Sequence, residues 1–213
     1  MDLQPAVRLS IQYYRAFEYA NQWHRDQARK STTLPYILHP MGVASLVLEA
    51  GGDEEQAIAA LLHDVPEDCG GEARLTEILE MFGPRVEAIV RGCSDSLVAE
   101  KEDKAPWRER KQAHIDHIAT ADMDTLIVTA ADKVHNGRAI ATDLQTIGDE
   151  IWDRFNAWDI DQSGQRIAGS CKKNVIWYYT AFYKELHKRG VTPALLNPLR
   201  TAIEIMKTNG DLS

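Results

Sequence analysis

Cysteine is scarce in this 213-residue chain: Cys69, Cys93 and Cys171 are odd in number and widely spaced. That excludes a disulfide scaffold and fits a reducing, cytoplasmic setting. Long apolar runs are missing too. No uncharged stretch approaches the ~20 residues that span a bilayer, so no membrane partner is expected. Met1–Ala20 carries Arg8 and Arg15 inside its apolar pattern and does not read as a signal peptide. Basic residues are outnumbered, 24 Lys+Arg against 32 Asp+Glu, for a formal net charge of −8. Coating nucleic acid needs a basic face, so nucleic acid is not an expected partner either. A local basic pocket for a small anion stays open. There is no internal repeat, no low-complexity tract, and no run of strict two-residue alternation bounded by hairpin turns.

What is present is a core-building composition, 44% hydrophobic against 26% charged. At ~150 residues per domain the length suits one domain, or one domain with an extension. Apolar residues recur at helical spacing nearly throughout. Val7, Ile11, Tyr14 and Phe17 predict a first helix to about Ala28. Pro40, suited to a first turn, places the start of the next helix at His39, and Gly51-Gly52 closes it. Asp53 with Gln56 reads as a capping box opening a helix that Pro66 should end or kink at Val65. Further helices are expected over Thr76–Phe82, Pro84–Val90, Trp107–Thr120, Asp124–Leu144, Glu150–Ala157, Arg166–Arg189 and Pro193–Lys207, with a polar loop over Ser94–Pro106. Thr125–Ala130 is β-branched, but its pattern continues at helical spacing through Val134 and Ile140. The fold class is all-α, a helical bundle.

Two histidines and two aspartates carry the chemistry. His63-Asp64 is an adjacent pair on a helix of small and apolar residues, and both can reach one ion lying beside it. His39 lies 24 residues upstream, room for one helix and a turn. Asp132 stands in an apolar helix and could supply a fourth ligand. Carboxylates in apolar helices are rare without a partner. Two imidazoles and two carboxylates without a thiolate suit Mn(II), Fe(II) or Zn(II). A His-Asp pair taken alone is more often a helix-surface pair, and an Arg25–Lys30 cluster taken alone a solvated helix end. His24, His114, His117 and His187 have no evident partner and read as surface or satisfied residues; His135 stays outside the metal set. The tryptophans Trp107, Trp152, Trp158 and Trp177 read as core.

The order of motifs resembles the HD-domain phosphohydrolases, and among them the hydrolase domain of the RelA/SpoT-type alarmone enzymes and the small alarmone hydrolases. The segments are RKSTTLPYILHP (Arg29–Pro40), GGDEEQAIAALLHDVPED (Gly51–Asp68), FGPRVEAIVRGCSD (Phe82–Asp95) and TAADKVHNGRAI (Thr129–Ile140), within roughly Phe17–Leu144. The resemblance implies an HD helical bundle, expected over residues 1–148, with 149–213 outside the motifs as a C-terminal helical extension. It implies His39, His63, Asp64 and Asp132 as ligands of one divalent metal, Mn(II) foremost. Glu67 and Asp68 match the acidic pair that orients or deprotonates the attacking water. Arg29 and Lys30 match the basic pair at the nucleoside end, with Arg25 one turn earlier, and Asn136 matches the asparagine that contacts the nucleotide. The implied reaction removes the 3′-pyrophosphate from a nucleotide such as ppGpp or ppApp through a metal-activated water.

Pro66, between the His-Asp and acidic pairs, and Thr32-Thr33, in place of the family's glycine, depart from the pattern. Two alternatives stand beside the implied reaction: another HD-type nucleotide phosphohydrolase, or a non-catalytic nucleotide-binding regulator. For the tail after Gly148, packing on the domain, closing over the pocket and a homodimer contact all stay open.

Overall fold

The helical spacing becomes ten α-helices and one 3-10 helix among the described residues of the computed structural model, which are 8–30, 32–94 and 106–208. No strand is found among them; the β-pairing there is two isolated bridges, Ala28 with Pro35 and Ile160 with Arg166. The chain divides into two compact units, Met1–Ala99 and Glu100–Ser213. Of the loop expected over Ser94–Pro106, residues 95–105 lie outside the described residues.

The first unit holds α1 (Ile11–Trp23), α2 (Leu38–Glu49), α3 (Glu54–Leu62), α4 (Val65–Cys69), α5 (Glu72–Phe82) and α6 (Pro84–Cys93). Helix α3 is its centre, packed on α1, α2 and α6. Every residue from Gln56 to Leu62 is buried, as expected for a helix apolar on all sides. Burial of Ile58, Leu61 and Leu62 contributes about 1.5–3 kcal/mol each. The capping box forms: Gln56 N–H donates to Asp53 Oδ1 at 3.0 Å, and Asp53 N–H donates to Gln56 Oε1 at 2.8 Å. Just before it, a Cβ on Gly52 would lie 2.8 Å from the Val47 carbonyl oxygen, so only glycine allows this tight turn from α2 into α3. Arg74 of α5 lies 3.9 Å from the Trp23 ring centre and bonds Glu77, which also accepts from Tyr19; together they tie α5 to α1.

Two boundaries differ from the sequence reading. Helix α1 ends at Trp23, not near Ala28, because the backbone beyond His24 turns back on itself. Arg29 N–H donates to the Leu34 carbonyl at 2.9 Å and Tyr36 N–H to the Gln27 carbonyl at 3.0 Å. Arg25 and Arg29 therefore do not share a helix turn. Helix α3 ends at Leu62, three residues before Val65. Proline at position 66 has no N–H for the Leu62 carbonyl and its ring would crowd that carbonyl, so the chain breaks there and restarts as α4. Pro66 sits in the first turn of α4, where no N–H is needed.

The second unit holds α7 (Trp107–Ile118), α8 (Met123–Ile147), a 3-10 helix (Gly148–Arg154), α9 (Ser170–Lys188) and α10 (Pro193–Thr208). Thr125–Ala130 is helical within α8, as its periodicity requires. Helix α10 lies along α8 and also packs on α9, while α7 packs on α9 and the 3-10 helix on α8 and α9. Helix α8 passes into the 3-10 helix at Gly148. A Cβ on Gly137, in mid-α8, would meet Ala202 of α10 at 3.2 Å and Tyr179 of α9 at 3.4 Å, so this glycine sets how closely the helices approach. Arg189 donates to the carbonyls of Ile118, Ala119 and Ala121, satisfying the exposed end of α7. The segment expected to be helical from Arg166 starts at Ser170, and Glu150–Ala157 is the 3-10 helix ending at Arg154. No helix among the described residues is long and apolar enough to cross a membrane.

Candidate metal centre

The short Gly51-Gly52 turn folds α3 back along α2. The start of α2 therefore meets the end of α3. His39, in the first turn of α2, and His63, just past Leu62, have ring centres 5.2 Å apart, and both are buried. Asp64 follows in the bend before α4. Its Oδ2 lies 3.3 Å from His39 Nε2 and 3.2 Å from His63 Nε2, and a ligand atom from each of the three residues falls within 4.8 Å of the others.

This arrangement fits a divalent ion. Ligand atoms at about 2.1 Å from one ion lie about 3.0–3.4 Å from each other, close to the separations found. His63 Nδ1 lies 2.8 Å from the Ala60 carbonyl, which can only accept. Nδ1 therefore carries the proton, and in the neutral ring the Nε2 lone pair faces the Asp64 oxygen. A cation between a lone pair and a carboxylate relieves their repulsion. The donors are two nitrogens and one oxygen, the borderline set expected for Mn(II), Fe(II) or Zn(II).

Tyr36 was not singled out by the sequence reading, though it lies inside RKSTTLPYILHP. Its hydroxyl donates to Asp64 Oδ2 at 2.7 Å, and its ring meets His39 edge-on at 5.9 Å. The turn that ends α1 early also delivers this tyrosine. Of the two readings of His24, surface or satisfied, the second holds: it is buried, bonds Gln27 through Nδ1 and lies 4.8 Å from the Tyr36 ring. Hydrogen bonds behind a ligand usually shift metal affinity tenfold or more. Tyr36→Phe is expected to weaken Mn(II) binding about tenfold while leaving the thermal midpoint of the metal-free protein nearly unchanged; a Mn(II) titration followed by electron paramagnetic resonance checks it.

Glu67 and Asp68 stand on α4, one turn past the His-Asp pair. The Asp68 carboxyl has its pKa raised, first by partial desolvation and then by the Asp64 charge, with His24, a Gln27 hydrogen bond and His63 opposing. Asp68 thus lies in the electrostatic field of the cluster. Arg25 is exposed and lines a surface groove with Phe17, Glu18, Asn21, Gln22 and Asp26, none of them in the cluster. Arg29 and Lys30 sit on the turn after α1, the latter exposed; Thr32 closes that turn by bonding the Arg29 carbonyl at 2.9 Å.

In the second unit, Asp132 is buried in α8. Its Oδ1 accepts from Asn136 Nδ2 at 2.5 Å and its Oδ2 from Lys133 Nζ at 2.6 Å. Asn136, four residues on, shares the helix face with Asp132 as its spacing requires, and here it holds the carboxylate. Burial opposes the Lys133 charge, but the Asp132 carboxylate together with Tyr178 and Tyr179 outweighs it, so the ammonium pKa stands well above its usual value. No sequence pattern had marked Lys133. Trp152 is core, while Trp177 carries the Arg108 guanidinium 3.1 Å from its ring centre.

Residues 16–157 match the HD-domain family. The chain belongs to the HD-domain family. Among its relatives, a GTP pyrophosphokinase of Streptomyces coelicolor is 37% identical over 133 residues, 61% of this chain and 15% of that protein. A guanosine-3′,5′-bis(diphosphate) 3′-pyrophosphohydrolase of Aquifex aeolicus is 37% identical over 127 residues, 59% of this HD chain and 17% of that protein. The matched stretch thus spans less than a fifth of these relatives. A solved structure described as a metazoan ortholog of SpoT that hydrolyzes ppGpp aligns with a TM-score of 0.70 and 27% identity, covering 97% of this HD protein and 100% of that chain. The cluster of His39, His63 and Asp64 is the candidate divalent-metal site of this HD domain.

Proposed function

We propose that this HD protein hydrolyses the 3′-pyrophosphate of a nucleotide alarmone such as ppGpp or ppApp. The observation that carries the reading is the convergence of His39, His63 and Asp64 beside the acidic pair Glu67-Asp68. It is supported by the likeness over 97% of the chain to a structure described as a ppGpp hydrolase.

His39, His63 and Asp64 would hold the metal, with Asp132 as a further ligand on the motif in α8; Mn(II) is preferred over Fe(II) and Zn(II). Such an ion polarises a phosphoryl oxygen and lowers the pKa of a bound water. Tyr36 keeps the Asp64 carboxylate in place. Glu67 and Asp68 orient the attacking water and take its proton. The water oxygen attacks the phosphorus nearest the ribose, the bond to the 3′-oxygen breaks, and that oxygen leaves with a proton. The products are pyrophosphate and a 5′-phosphorylated nucleoside with a free 3′-hydroxyl. Arg29 and Lys30 offset substrate charge and offer a guanidinium to stack on the base, with Arg25 meeting a more distant phosphate. Asn136 contacts the nucleotide from α8.

The test is turnover of ppGpp, ppApp and NADPH side by side, using metal-stripped protein with Mn(II) added, and following pyrophosphate and phosphate separately. Pyrophosphate from ppGpp or ppApp is the expected result, and it identifies the base. Phosphate from NADPH alone would overturn this reading in favour of a wider nucleotide phosphohydrolase. Nucleotide binding without any turnover would overturn it in favour of a regulator.

A further inference from the structure

Lys133 follows Asp132 in α8, and its side chain is only 13% exposed. An ammonium buried this far is unfavourable unless paired and confined. Neighbouring residues on a helix do not face each other, so Lys133 must fold its stem back to place Nζ 2.6 Å from Asp132 Oδ2. A wall of rings restrains it in that position. Nζ lies 5.4 Å from the centre of the Phe182 ring and 5.8 Å from that of Tyr178. These residues are four apart on α9 and so share one face of it, with their rings 5.5 Å apart. Behind them His114 of α7 packs 5.3 Å from Phe182, with its Nδ1 3.2 Å from the Tyr178 hydroxyl.

The Asp132 carboxylate is therefore held at both oxygens, by Asn136 at Oδ1 and by Lys133 at Oδ2. A hydrogen bond at each of the two oxygens constrains the rotamer of the carboxylate. We propose that Lys133 is a positioning residue for Asp132, and that α9, through Tyr178 and Phe182, sets the place of Lys133. The proposal rests on the assignment of Asp132 as a metal ligand. It gives α9 a task in the chemistry: its rings fix the lysine that aims the carboxylate. The rival is that the ammonium acts only as a nearby positive charge, which would oppose a cation; its removal would then tighten metal binding.

Mn(II) binding to the whole, metal-stripped chain separates the two, with free Mn(II) read by electron paramagnetic resonance. Lys133→Met is expected to weaken binding about tenfold, the usual effect of losing a group that orients a ligand. Lys133→Arg, which keeps charge and donors, is expected to recover most of that loss. In an Asp132→Asn background, Lys133→Met should add no further penalty, since a residue acting through Asp132 has nothing left to orient. The double variant places a neutral side chain beside a neutral amide, so the cycle holds even where Lys133→Met alone folds poorly; the thermal midpoint of each metal-free variant monitors this. Unchanged or tighter binding in Lys133→Met, or additive penalties in the double variant, would overturn the proposal while leaving Asp132 a ligand. Unchanged binding in Asp132→Asn alone would remove both the assignment and the proposal.

Discussion

Asp64→Ala is expected to remove metal and turnover together while the helices stay folded. Asp64 Oδ2 is where the site converges: Tyr36 donates to it, and both histidine Nε2 atoms lie within 3.3 Å. Without that oxygen the cluster keeps two imidazoles and loses its anionic donor. The ion contributes several kcal/mol of charge stabilisation in reactions of this class, so kcat should fall by about 10³ or more. Folding should survive, because Asp64 lies in the bend between α3 and α4 and its side chain is 23% exposed, outside the apolar core. The measurement is Mn(II) per chain by atomic absorption, pyrophosphate release, and far-ultraviolet circular dichroism on one preparation. Full activity in a metal-free Asp64→Ala protein would reject the site.

Glu67→Gln is expected to give the complementary result, with metal retained and turnover lost. The substitution keeps side-chain shape and removes the group that can take a proton. Glu67 is half-buried in the first turn of α4, and Pro66 beside it fits that turn, so the acidic pair stands on regular helix. Loss of a positioned general base costs about 10²–10⁴ in kcat, while Mn(II) affinity should stay nearly constant because Glu67 is outside the ligand set. An unchanged rate would mean that Glu67 has no chemical role. Together the two variants separate holding the ion from using it.

Most helices were legible because their signals are short-range. The Asp53–Gln56 box, the Gly51-Gly52 turn and the periodicity through Thr125–Ala130 each involve residues no more than a turn or two apart. Local signals mislead where a longer contact competes. Arg25–Ala28 have side chains that a helix accepts, but the backbone of Gln27 to Arg29 pairs with Leu34 to Tyr36 instead. Pro66 breaks the helix at Leu62 rather than Val65, because the lost hydrogen bond belongs to the carbonyl four residues back. His24 looked partnerless because its companions Gln27 and Tyr36 meet it only once that turn has formed. Tyr36 and Lys133 carried no pattern of their own; each matters for the single carboxylate oxygen it reaches.

By itself the sequence determined an all-α chain, the caps and breaks of its central helices, and an ordered set of histidines and carboxylates suited to a divalent ion. These follow from hydrogen bonds and side-chain spacings within one or two helical turns, which the chain carries wherever it lies. Only the tertiary structure decided that His39 reaches Asp64, that Ala60 selects the His63 tautomer, that Tyr36 holds the Asp64 carboxylate, and that rings of α9 confine Lys133 against Asp132. Three of these depend on how helices and turns distant in sequence come together. The fourth is set where α3 ends, since the Ala60 carbonyl in its last turn meets His63 Nδ1 only once the helix stops at Leu62.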